Sequence, residues 1–216
     1  WAWDPVENAS LVPWLFLIAG VHTNLIAKAT GHAIKATYAY YALCFVFIVY
    51  STYLTRSGIL GETSVHAFTE MGLEVQLIGF ILIYFFLSIF LLAKRWKSIP
   101  VPVKEEATSS KEFWVFIGSL ILLFSGILII SSTSLPVFNK IIRIFKPEFL
   151  GSVITDPVPH YNKYQLWIGV FIGLLSGGSQ YLRWRGTNLK KQGRKILTHI
   201  GVALVLAGIL SFLTMQ

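Results

Sequence analysis

Six apolar runs, each about as long as a bilayer is thick, alternate with short polar links: Leu11–Ala29, Tyr38–Leu54, Met71–Ala93, Phe113–Val137, Tyr164–Tyr181 and Ile196–Met215. A run of about 20 such residues, wound as a helix, crosses the hydrocarbon core. Lipid offers no partner to backbone N–H and C=O groups, so a segment must satisfy them within itself. The pattern therefore predicts an all-α polytopic membrane protein with about six transmembrane helices. The second run is the shortest and fades into "YSTYLTRSG". The chain shows no internal repeat and no separate soluble domain, so residues 1–216 read as one membrane domain.

The links differ in character. "KRWKSIPVPVKEEATSSKE" (94–112) is rich in Pro, Ser and charge and reads as a flexible loop. In the segment 139–163, Ile141, Ile142, Ile144 and Phe145 alternate with Lys140, Arg143 and Lys146, which suits a short helix lying at the membrane interface. "SGGSQ" (176–180) puts small residues at the end of the fifth run, where they permit close helix approach.

Composition agrees with this picture. The chain is 55% hydrophobic and 13% charged, with a mean hydropathy of +0.66; soluble domains carry about 25% charged residues. The net charge of +8 raises the question of nucleic acid, and its distribution answers it. With residues 1–10 outside, the inner links hold Lys28, Lys35, Lys94, Arg95, Lys97, Lys104, Lys111, Arg183, Arg185, Lys190, Lys191, Arg194 and Lys195, against Arg56, Lys140, Arg143, Lys146 and Lys163 outside. Basic residues collect on the cytoplasmic side of spans, so the opening stretch faces out and nucleic acid is not a partner. The single cysteine, Cys44, lies within a span and reads as small core filler.

Polar groups within or against the spans are the candidates for chemistry, because hydrocarbon makes them costly unless they hold something. His22 precedes Lys28 on the first run and His199 follows Lys195 on the last, so both fall at similar depth towards the inner face. Two imidazoles facing each other across a bundle can hold a haem iron; each can equally hydrogen-bond a neighbouring hydroxyl or carbonyl. His66, in "TRSGILGETSVHAFTEMG", is an outer-loop histidine, which solvation alone would explain. His160 outside and His32 inside read the same way. Trp14, Trp96, Trp114, Trp167 and Trp184 fit interfacial anchoring. "WAWDPVEN" fits it badly, since an anchor has no need of two acids and an asparagine. Asn8 or Ser10 would cap a helix beginning near Leu11, which accounts for part of the run. Flat rings beside hydrogen-bonding groups also make a surface for a large, flat amphipathic ligand.

With these residues in view, "WAWDPVENASLVPWL" resembles the tryptophan-rich WWD signature of the cytochrome c assembly proteins, and its continuation "DPVENAS…PWL" is similar to the CcmF branch of that family. "YLTRSGILGETSVHAF" (53–68) resembles the outer loop that carries a haem-ligating histidine there, "THIGVALVLAG" (198–208) a late span carrying another, and "YNKY…YLRWR" (161–185) the spans before it. The resemblance implies a cytochrome c haem lyase. Trp1, Trp3, Asp4, Pro5, Glu7 and Asn8 would cradle haem, the substrate, at the outer face, within a motif over 1–10. His66, in the loop 55–70, would be an axial ligand of that haem and the catalytic residue. His22 and His199 would ligate a b-type haem within the membrane.

The family reaction joins haem vinyl groups to the thiols of a C-x-x-C-H segment in apocytochrome c. Partners implied are apocytochrome c, a haem-delivery chaperone, other cytochrome c maturation subunits and quinol as reductant; the compartment implied is the bacterial inner membrane, with the WWD motif periplasmic. The rival reading is a haem carrier or exporter that presents haem without forming the bond. Two departures stand out. The family signature begins with further Gly and Trp residues, so the chain is expected to be a fragment of a larger helical bundle. A second outer histidine lies upstream of the signature in the family, and no family motif supports His160 in its place.

Overall fold

The computed structural model describes residues 3–61, 63–68, 71–103 and 106–214. Trp1 lies outside the described residues. Seven helices and no strand occur among the described residues: α1 (Pro5–Thr30), α2 (Ile34–Arg56), α3 (Glu74–Arg95), α4 (Lys111–Thr133), α5 (Leu135–Phe145), α6 (Pro157–Ser179) and α7 (Leu189–Thr214). Five of them, α1 to α4 and α7 from Gln192, are long and apolar enough to cross a membrane. The fifth expected run corresponds to α6, which is as long but begins seven residues earlier than Tyr164. Its added N-terminal turns carry His160, Asn162 and Lys163 and lower its mean hydropathy. The chain is a multi-pass helical membrane protein.

Helix α1 starts six residues earlier than expected. Asp4, not Asn8 or Ser10, is the N-cap: its Oδ1 accepts the Val6 N–H at 2.9 Å, and Pro5 takes the first helical position, where no N–H is needed. Asn8 and Ser10 are therefore helical; Ser10 donates back to the Val6 carbonyl. At the other end Gly31 adopts the left-handed conformation at φ 84° and closes the helix on the Ala27 carbonyl. The run expected over Phe113–Val137 breaks after Thr133. Pro136 has no N–H for the Ser132 carbonyl and its ring collides with that group, so the chain turns at Ser134 and starts α5. That helix includes the expected interfacial segment, with Ile141, Ile144 and Phe145 exposed. Arg143 and Asn139 fold the following strand of loop back by bonding the carbonyls of Phe149, Leu150 and Ser152.

Helix α1 is central. Ala9, Val12, Phe16, Ala19, Thr23 and Ile26, spaced alternately three and four apart, form a buried stripe between α2 and α4. Helix α3 packs on α2 and α6 on α4. Among the described residues α7 packs on none of the other six helices, and from Leu197 to Thr214 its residues are exposed. In lipid the gain on helix association comes from close packing rather than from apolar burial, and small residues supply it. A Cβ on Gly126 of α4 would stand 2.8 Å from Cε2 of Phe16, whose ring is 1% exposed and wedged against Phe47 and Tyr40. Gly126→Ala is thus expected to destabilise the bundle by about 1–3 kcal/mol through overpacking, read as a lowered unfolding midpoint in detergent, with Phe16→Leu in the same chain restoring part of the loss. Cys44 is core filler as expected; its thiol also donates to the Pro13 carbonyl at 3.4 Å.

Candidate functional site

The alternation of helices brings the N-terminus, the loop 57–73 and the segment 134–156 to one end of the bundle. Trp3, at φ 58°, turns the chain sharply into α1. Its indole stacks on Tyr161 of α6 at 5.0 Å between centroids and 21° between planes, and its Nε1–H donates to Asn162 at 2.8 Å. Asn8, fully buried, donates to the Trp3 carbonyl at 3.0 Å and so fixes that turn. Tyr161 is held in turn by the Thr133 hydroxyl at 3.2 Å. The indole is therefore oriented from three sides.

In front of it lies a cleft of about 250 Å³, lined by Trp3, Pro5, Thr63, Ser132, Ile154 and Tyr161 among others. Ligand pockets usually measure about 300–1,000 Å³, so this one takes the edge of a large flat molecule rather than enclosing it. Aromatic faces with hydroxyls at the rim suit an amphipathic ligand of that shape.

Asp4 sits beside the cleft. Besides capping α1, it receives the Ser64 hydroxyl at 2.8 Å to each oxygen, and its Oδ1 lies 3.5 Å from Nδ1 of His66. Ser64 also accepts the His66 N–H at 3.1 Å, so the short turn 64–66 is tied to the start of α1. The His66 side chain is 59% exposed and Asp4 15%. Glu7 is half-buried, and its Oε2 has no hydrogen-bond partner among the described residues, an arrangement that costs free energy in the absence of a ligand. His160 lies in the first turns of α6 rather than in a loop, where its Nε2 pairs with Ser132 at 3.0 Å.

The opposite end of the bundle carries a second constellation. A cleft of about 320 Å³ between α1, α4 and α6 is walled by Trp14, Ile18, Trp114, Leu122, Ile172 and Ser179, with His22 on its side. Nδ1 of His22 lies 2.7 Å from the Ile18 carbonyl, which holds the proton on that nitrogen and leaves Nε2 with a lone pair that can accept a hydrogen bond or bind a metal ion. Nδ1 of His199 pairs with the Tyr181 hydroxyl at 2.6 Å, two residues past Ser179. Both histidines therefore stand by the Ser179 end of α6, while among the described residues helix packing does not bring α7 against α1. Nearby, the buried Glu112 carboxylate accepts the Arg185 N–H at 2.8 and 2.9 Å, pinning the α6–α7 link to the start of α4. Burial pushes the neighbouring Glu106 carboxyl up, with Glu112 reinforcing and His32 opposing. His32 itself meets Thr30 at 3.1 Å.

Several of these residues were not singled out from the sequence. Tyr161, Asn162, Ser64 and Tyr181 are ordinary residue types whose partners lie far along the chain; the polar cluster "HYN" at the head of an otherwise apolar helix is the signal that marks the first two. No group of three or more metal-binding side chains occurs among the described residues.

No model of a protein family matches the chain. It is 28% identical over 214 residues to the cytochrome c-type biogenesis protein CcmF of Escherichia coli, covering 99% of this chain and 31% of that protein. It is 30% identical over 190 residues to CcmF of Pseudomonas aeruginosa, covering 87% and 27%. To the cytochrome c-type biogenesis protein NrfE of Haemophilus influenzae it is 41% identical over 95 residues, 43% of this chain and 15% of that one. The chain spans less than a third of the length of these curated relatives. A solved structure of a cytochrome c haem lyase CcmF superposes with a TM-score of 0.61 at 23% identity, over 87% of this chain and 25% of that one, which establishes the shared fold. Sequence relatedness across nearly the whole chain, on a helical bundle of the same fold, makes this a member of the CcmF-type cytochrome c biogenesis family.

Proposed function

We propose that this chain is the haem-holding part of a cytochrome c haem lyase in the bacterial inner membrane, with the Trp3 end on the periplasmic side. The observation that carries the reading is the outer cleft, where a fixed indole–phenol stack stands beside an imidazole that a carboxylate backs. Haem is the substrate there. Trp3 and Tyr161 support its flat face or edge, and His66 offers Nε2 to its iron. Pro5, Glu7 and Asn8 complete or brace the shelf, Asn8 by bonding the Trp3 carbonyl; Trp1, outside the described residues, is the remaining member of the haem-holding motif proposed. The thiols that attack the vinyl groups belong to apocytochrome c, so the protein's part is to hold haem edge and thiols in register; such positioning alone lowers a barrier by several kcal/mol, about 7–11 in well-oriented cases.

A b-type haem within the membrane would be held by His22 and His199, and when bound it supplies one-electron chemistry, with quinol as the reductant class. The His22 cleft favours a lyase over a simple haem carrier, which has no use for a second, buried porphyrin. A haem-delivery chaperone and other maturation subunits are the partners that a chain of this family implies. Trp3→Ala is the test of the shelf. Ferric porphyrin titrated into the full-length protein in detergent is expected to bind roughly 10-fold more weakly, the size of one aromatic contact. Trp3→Phe, which keeps a ring and drops the Asn162 bond, should recover most of that loss. Equal binding by wild type and Trp3→Ala would contradict the assignment.

A further inference from the structure

We propose that Asp4 is a positioning residue that acts on the iron through His66, rather than a group that touches the porphyrin. This rests on the reading of the outer cleft as a porphyrin site. Both carboxylate oxygens are engaged: Oδ1 takes the Val6 N–H at 2.9 Å and faces Nδ1 of His66 at 3.5 Å, and the one Ser64 hydroxyl proton is shared between Oδ1 and Oδ2, each 2.8 Å away. At 15% exposure the side chain presents little to a ligand.

Ser64, itself buried, bonds both the carboxylate and the His66 N–H, so the backbone that carries the imidazole is indexed to the carboxylate. A cap alone needs one oxygen and no partner loop. The additional closure onto residues 64–66 is what the capping role leaves unexplained. A carboxylate facing Nδ1 favours the proton on that nitrogen and leaves the Nε2 lone pair for a metal ion, and loss of such an outer-shell partner typically costs about 10–100-fold in metal affinity. Negative charge behind the imidazole also favours ferric over ferrous iron, which carries one positive charge less.

The test uses the full-length protein in detergent, with hemin as the probe in its ferric form and after reduction by dithionite. Asp4→Asn preserves the cap, because Asn caps a helix as well as Asp does. Ferric affinity is expected to fall by about 10–100-fold, and ferrous affinity by less, so the ratio of the two drops. A general loss of structure would lower both alike. When Asp4→Asn is added to His66→Ala, no further loss is expected, since the carboxylate works through the imidazole. An unchanged ferric-to-ferrous ratio in Asp4→Asn, or an equal loss in the His66→Ala background, overturns the proposal. If His66→Ala weakens hemin binding while Asp4→Asn matches wild type, this inference alone fails. If His66→Ala itself binds as wild type, the reading of the outer cleft fails with it.

Discussion

His66→Ala in the intact protein is expected to abolish holocytochrome c formation while leaving b-type haem absorption from the membrane site in place. The imidazole projects from the turn 64–66, which Ser64 ties to Asp4 at the head of α1, and it is more than half exposed. Removing it therefore empties no packed site, and the fold should tolerate the change. An iron without its axial donor loses more than about 100-fold in affinity, beyond the range seen when only an outer-shell partner is removed. Cytochrome c maturation in cells carrying the variant, followed by haem staining of the products, checks this. Normal holocytochrome levels would remove His66 from the reaction.

The second large effect is expected at the opposite end. His22→Ala and His199→Ala should each eliminate the bis-histidine b-type spectrum of the purified full-length protein. His22 stands on the wall of an apolar cleft with its free nitrogen set by the Ile18 carbonyl. His199 stands by the same end of α6, on the Tyr181 hydroxyl. A six-coordinate iron needs both axial donors, so either loss alone converts or discards the haem. The two substitutions should be nearly equivalent and their combination should add little, as for members of one site. Unchanged absorption in both variants would mean that these imidazoles are no more than hydrogen-bonded residues of a helical bundle.

These two outcomes would be separable because the clefts are. The outer one is lined from the N-terminus, the loop after α2 and the head of α6; the inner one lies between α1, α4 and α6. Helix α1 spans the distance, with Asp4 at its cap and His22 some five turns on.

Much of the fold was legible because lipid leaves the backbone few options. The apolar runs mark the helices. Where the reading slipped, the cause is local chemistry. The acids and asparagine before Leu11 look too polar for a span, yet "DPVEN" is itself a helix start, with Asp4 capping and Pro5 leading. The apolar run through Val137 hides a break that Pro136 imposes. At α6 the polar first turns read as loop, because hydropathy alone marks a helix only where it meets lipid.

The site was legible in its residue types and not in its pairings. Trp3, Asp4 and His66 are unusual where they stand, and family resemblance supplied roles for them. That Tyr161 would receive the indole, and Ser64 the carboxylate, depends on contacts between residues 158 and 60 positions apart. No local periodicity carries such information. Equally, the similar depth expected of His22 and His199 follows from helix order, whereas the absence of packing between α7 and the other helices among the described residues does not.

Haem counted per polypeptide is the most direct measurement, made by pyridine haemochrome on the intact protein purified from haem-replete membranes. Two porphyrins per chain are expected, falling to one in His66→Ala and to one in His22→Ala. Protein that emerges folded and free of iron porphyrin from such membranes would contradict both sites at once.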